Sequence, residues 1–255
     1  MCLIAWNWQP GSDCPLLLVA NRDEFYARPS AALHAWSDAP IVAGRDLQAG
    51  GTWLGVTHSG RMAALTNYRQ PSMMRSDAPS RGELVSGFLQ GDASAADYLG
   101  QIKPRAGQYN PFNLLVFDCT RLMGLQSRDA SVLSLAPGVG AVSNADFHTP
   151  WPKLGQLTRG LKSLLAQGPA TDEQLLDLLQ DRNLAADGDL PDTGIPLALE
   201  RVLSASFIAT QDYGTRACSV LRYAIDQIDF SEHSFDAQGA TGSVTLRLPL
   251  VKLKI

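Results

Sequence analysis

The sequence predicts an α+β protein in which helices are layered on mostly antiparallel sheets. Short segments rich in β-formers recur along the chain, many of them joined by tight turns, and two paired helical blocks interrupt them. The composition agrees with a packed core, with 45% hydrophobic and 18% charged residues. At 255 residues the chain reads as a single domain spanning residues 1–255.

Cys2 to Trp8 alternates as a strand, Gln9 to Cys14 is turn-like, and Leu16 to Ala20 is an apolar run, so the chain opens with a β-hairpin. Strands are expected at Thr52 to Thr57 and Met62 to Thr66. The first helical block follows, Arg81 to Gln90 with Ala93 to Ile102. Three more strands, Phe112 to Asp118, Leu122 to Gln126 and Ser131 to Leu135, precede the second block, Lys153 to Gln167 with Thr171 to Arg182. The last of these helices opens with Thr171 and Gln174 at capping-box spacing. Ala185 to Pro196, rich in Asp, Gly and Pro, reads as a long exposed loop, either a plain connection or a lid. Strands at Ser206 to Thr210, Ala217 to Tyr223, Ile225 to Phe230 and Ser243 to Leu248 complete the pattern.

A formal net charge of −4 without any basic block gives no footprint for nucleic acid. Cys2, Cys14, Cys119 and Cys218 are scattered and form no CxxC, which argues against a disulfide framework or a cysteine zinc site and favours a reducing compartment. The apolar start lacks a basic region and is broken at Pro10 to Asp13, and no stretch approaches the roughly 20 apolar residues that span a bilayer. The expectation is a cytoplasmic protein that is not integral to a membrane. His34, His58, His148 and His233 are isolated, so no preformed metal site is expected.

The first hairpin carries the chemistry. A turn about Gly11 and Ser12 pairs residues summing to about 23, which sets Cys2 opposite Asn21, with Arg22, Asp23 and Glu24 just beyond, across a strand spacing of roughly 4.8 Å. Trimming of Met1 would leave Cys2 with a free α-amine of pKa about 7.7–8.0, so one residue would supply nucleophile and base. Arg22 would favour the thiolate, and Asp23 would orient the ammonium. Asn67 and Asn144 each follow a strand-like segment and suit an oxyanion site. Against this stands the plainer reading of Cys2 as a small buried hydrophobe and of residues 21–24 as a polar turn. Gly50 to Gly55 either lets amides approach an anion or makes a tight turn that packs Trp53. Trp151, between two prolines, braces the chain after Asn144. Arg216 precedes an apolar strand and either pairs with a carboxylate or meets a ligand anion.

Asn21-Arg22-Asp23-Glu24 after Met1-Cys2, Gly50-Gly51-Thr52-Trp53-Leu54-Gly55, Thr66-Asn67-Tyr68-Arg69, Ser80-Arg81-Gly82 and Ser143-Asn144 with Pro150-Trp151-Pro152-Lys153 occur in order along nearly the whole chain. Together they resemble the NRDE family, also called the Transport and Golgi organisation 2 family. The resemblance implies the four-layer αββα sandwich of N-terminal-nucleophile (Ntn) hydrolases, and a site of Cys2, Arg22, Asp23, Asn144 and Arg216 like that of the cysteine branch, with Asn67 added from the strand pattern above. Asn21, Glu24, Trp53 and Tyr68, from the same motifs, are expected to line a ligand site. In that branch the Arg and Asp are a few residues apart. Here they are adjacent, and neighbours on a strand point to opposite faces, so both reach Cys2 only where the strand has ended. The resemblance supports two functions: amide or thioester cleavage needing no cofactor, or non-catalytic carriage of haem or an acyl-CoA-like lipid. Either way the partner is a small molecule; the oligomeric state is left open.

Overall fold

The computed structural model describes residues 2–250. Two antiparallel sheets face each other. The first is ordered β10-β1-β2-β11-β12-β13, from β1 (Cys2–Trp8), β2 (Leu16–Phe25), β10 (Gly138–Val142), β11 (Tyr213–Tyr223), β12 (Gln227–Asp236) and β13 (Gly239–Pro249). The second runs in sequence order through β3 (Ser30–Ala35), β4 (Val42–Asp46), β5 (Leu54–Val56), β6 (Met62–Asn67), β7 (Phe112–Phe117), β8 (Leu122–Gln126) and β9 (Ser131–Ser134).

Side-chain parity builds the layers. Ile4, Trp6 and Trp8 of β1 with Leu16 and Leu18 of β2 point inward to meet Met62, Ala64, Leu115 and Phe117 of the second sheet. The alternate residues point outward. Ala63, Leu65, Leu114 and Val116 pack under α1 (Gly82–Gln90) and α2 (Ala95–Ile102), while Leu3, Ala5, Leu17 and Val19 pack under α3 (Pro152–Ala166) and α4 (Asp172–Leu179). The result is an αββα sandwich, and it explains why the central strands are apolar on both faces. The capping box of α4 forms, with the Gln174 amide N–H on Thr171 Oγ1 and the Thr171 N–H on Gln174 Oε1.

Several expectations change. The hairpin pairs Cys2 with Arg22 and Leu3 with Asn21, one residue away from the expected register. Because both faces of β1 are buried and apolar, hydrophobic pattern does not choose between registers; the turn does, closed by the Gln9 N–H on the Pro15 carbonyl. Ser206 to Thr210 is no strand and contributes a single bridge, Ala209 to Gly214. Unexpected elements are β3, β4 and a short helix α5 (Leu197–Val202) after the 185–196 segment, while β10 is the strand-like segment expected before Asn144. In β10 Gly140 is required by the packing: a Cβ there would lie 2.5 Å from the Trp6 indole.

Candidate active site

Cys2 is the first residue of β1, 6% exposed, and heads a cleft of about 650 Å³ between the sheets. Its direct partner Arg22 shares the inward face and lines the same cleft. Strand β2 does not end there. It continues to Phe25, so Asp23 turns to the opposite, helix-covered face, where its Oδ1 accepts from Thr215 Oγ1 at 2.8 Å. The two side chains thus flank the start of β1 from opposite sides, an outcome of their adjacency. Glu24 returns to the cleft face, 4.0 Å from Arg22 and 3.9 Å from Arg28.

A bulge in β11 between Thr215 and Ala217 lifts Arg216 out of the ladder. Its guanidinium lines the cleft but is used as a latch, donating to the Phe25, Tyr26, Arg28 and Phe235 carbonyls. Neither of the alternatives read from sequence, a carboxylate or a ligand anion, accounts for these bonds. The main-chain oxygens of β2's last residue, of the turn after it and of Phe235 in β12 do.

Asn144 is fully buried, and its Nδ2 donates to the Asn67 carbonyl at 2.8 Å. Ser143 Oγ lies 3.0 Å from the Cys2 carbonyl and 3.2 Å from Asn144 Oδ1. Asn113, which the sequence did not single out, fixes this turn from β7 by donating to Thr66 Oγ1 and to the Ser143 and Ala145 carbonyls. The Asn144 amide therefore stitches the two sheets behind Cys2, while the half-buried Asn67 lines the cleft, as do the amides Gln48 and Asn110.

Asn21 lies outside the cleft, which the changed register explains. Its Nδ2 donates to the Leu179 and Ser206 carbonyls and so ties α4 and the segment before β11 to the sheet. Tyr68 also lies apart, under Arg128 and beside Asp146. Trp53 lines the cleft. Behind it Gly51 abuts the start of α1, where a Cβ would come within 2.8 Å of the Gly82 backbone; this close approach brings Arg81 to the cleft, anchored on the Pro111 carbonyl. None of the four histidines is among the lining residues.

Further residues surface only in three dimensions. Arg69 and Glu200 form a buried ion pair at 2.6 Å, and Arg69 stacks 4.7 Å from the Trp151 ring, so the brace expected of Trp151 acts through Arg69. Glu232 reaches from β12 to accept from the Leu33 N–H. Lys153, in the first turn of α3, is 2% exposed. The one sequence signal for it is a lysine at a helix N-terminus, against the helix dipole.

Burial pushes the Cys2 thiol up to about 11, with Asp23 and Glu24 adding to the rise and Arg22 opposing it. Burial also raises Asp23, against which Lys153 acts, and lowers Lys153 to about 8. At neutral pH such a thiol is ionised to about one part in ten thousand. A nucleophile here requires a base.

Fold and site together define an αββα sandwich whose N-terminal strand presents a cysteine to an arginine-bearing cleft. Residues 1–237 match the family described as Transport and Golgi organisation 2. The Bos taurus Transport and Golgi organization protein 2 homolog is 34% identical over 92% of this chain and 93% of its own; the Homo sapiens homolog is 32% identical with the same coverage. The Drosophila melanogaster Transport and Golgi organization protein 2 is 28% identical over 87% of each chain. The chain belongs to the Transport and Golgi organisation 2 family. Among solved structures, a Caenorhabditis elegans N-acylethanolamine-hydrolyzing acid amidase ortholog aligns with a TM-score of 0.49 and 10% identity, covering 87% of this chain and 92% of that one.

Proposed function

We propose that the chain is an Ntn-hydrolase-like protein in which Cys2 cleaves an amide or thioester with its own α-amine as base. The observation that carries this reading is the placement of Cys2, at the start of β1, opposite Arg22 and at the head of the cleft. The amine takes the thiol proton, Sγ attacks the acyl carbon, and the C–N or C–S bond breaks as the departing amine or thiol receives that proton. Water then hydrolyses the S-acyl intermediate to the acid and restores the thiol. In this reading Asn67, from the cleft lining, donates to the oxyanion, while Asp23, from the opposite face, orients the amine. Met1 lies outside the described residues, and its removal is a requirement of this reading. The test is hydrolysis of a panel of amides and thioesters by wild type and Cys2→Ala: turnover by wild type that is lost in Cys2→Ala supports it, and equal rates overturn it.

A second reading, a carrier of haem or an acyl-CoA-like lipid, is favoured by the cleft lining. Arg22, Arg28, Arg45, Arg75, Arg81 and Arg216 contribute to it beside Asp23, Glu24, Asp46, Glu232 and Asp236; with Arg28 paired to Asp46, Arg45 to Asp38 and Arg216 held by carbonyls, Arg22 and Arg81 are the guanidiniums suited to a carboxylate or phosphate group. With no histidine in the lining, haem would be held through its propionates. Binding that survives Cys2→Ala and weakens in Arg22→Met and Arg81→Met is the expected result; Arg216 is a poor probe, because its latch holds the fold.

A further inference from the structure

Lys153 is one of five lysines in the chain, and Lys103 and Lys162 are exposed while it is buried. Its Nζ has no hydrogen-bond partner among the described residues. Burying an ammonium is costly, and the first turn of α3 adds the unfavourable end of a helix dipole. A leucine or methionine would fill the same volume without either cost, so packing does not account for a lysine here.

The charged groups around it come from several elements. Asp23 on β2 is its largest favourable neighbour, and Cys2 on β1 and Glu200 on α5 also favour its charge, while Arg69 after β6 opposes it. Tyr213 on β11 faces Asp23 and Cys2, and Thr215 bonds Asp23. Glu200 pairs with Arg69 at 2.6 Å, and of the two side-chain cations that act on Asp23, Lys153 and Arg69, Lys153 acts the more strongly.

We propose that Lys153 is a positioning residue for Cys2: its buried ammonium backs Asp23 and holds positive charge beside the thiol on the helix side of the sheet, opposite Arg22. The inference rests on the nucleophilic role proposed for Cys2. Because Lys153 gives up its proton at about 8, its help to the thiolate is present below that pH and withdrawn above it.

The test is the rate of Cys2 alkylation by iodoacetamide, read by peptide mass spectrometry from about pH 6 to about pH 10, in wild type and Lys153→Met. Wild type is expected to be faster by about twofold below pH 8, less than a contacting charge would give because Arg22, Asp23 and Glu24 act on the thiol more strongly, with the two rates converging above about pH 9. A constant ratio across the range, or none, marks a structural residue and overturns the proposal. Should Lys153→Met fail to fold, a carbon-13 titration of the lysine Cε atoms in wild type and Asp23→Asn decides: Lys153 is expected to titrate near 8 and lower still in Asp23→Asn. Titration together with the exposed lysines refutes the coupling. Wild-type Cys2 that takes no label overturns the nucleophile itself, and wild type alone tells that result from a failure of Lys153.

Discussion

Replacing Arg69 with methionine removes the guanidinium that pairs with Glu200 at 2.6 Å and stacks 4.7 Å from Trp151, while leaving the Arg69 N–H on the Asn144 carbonyl. Both side chains of the pair are nearly inaccessible, 5% and 3% exposed, so solvent cannot take over the stranded carboxylate. Breaking a buried pair from one side costs about 3–5 kcal/mol. Glu200 keeps the Thr193 N–H and hydroxyl, which places the expected loss near the lower end, about 3 kcal/mol. For a chain of this size that is a fall in Tm of about 6–12 °C. Urea unfolding and calorimetry read it. Arg69→Met combined with Glu200→Gln is expected to recover part of the loss, since no charge is then stranded. A cost below about 1 kcal/mol, the worth of an exposed pair, or strict additivity in the double variant would refute the assignment of this pair as the clamp between β6, α3 and α5.

Asn21→Ala is expected to cost about 1–3 kcal/mol in urea unfolding, because it strands the Leu179 and Ser206 carbonyls, yet to leave Cys2 alkylation unchanged; an effect on alkylation would return Asn21 to the site. Gly51→Ala is expected to destabilise by about 1–3 kcal/mol through its clash with the Gly82 backbone, and a neutral result would show that α1 does not depend on this contact. The pH dependence of stability follows Lys153. Its folded value, about 8, lies below the ordinary 10.5, so the unfolded chain binds the extra proton between them, and stability rises with pH across that window. Wild type should therefore gain stability relative to Lys153→Met from about pH 8 to about pH 10.5, by about 3 kcal/mol at most; a flat difference would contradict the assignment.

The layered sandwich was legible because its strands alternate between two apolar faces and its helices carry ordinary signals, such as Thr171 and Gln174. What escaped were strands that local preference disfavours. Strand β4 ends in the polar pair Arg45 and Asp46, and the glycines of β10 weaken its strand pattern, yet Gly140 belongs in a strand because Trp6 occupies the space of its missing side chain. The corner at Cys2 was legible from the hairpin. Its register was not, since Leu3 and Ile4 are equally apolar and one residue of slip exchanges Asn21 for Arg22. The roles of Asn144, Arg216 and Lys153 depend on partners far along the chain, such as Asn67 for Asn144, 77 residues away, and Phe25 for Arg216, 191 away, and no local pattern encodes such pairings.

The central claim, a nucleophile at Cys2, is tested most directly by intact mass before and after a thiol-reactive acylating probe, in wild type and Cys2→Ala. Expected is a chain that has lost Met1 and gains one adduct at neutral pH, with that adduct absent from Cys2→Ala. Because the thiol alone, held at about 11, is almost un-ionised at that pH, a retained Met1 or an unlabelled Cys2 would contradict the amine-assisted mechanism and turn attention to ligand binding in the arginine-lined cleft.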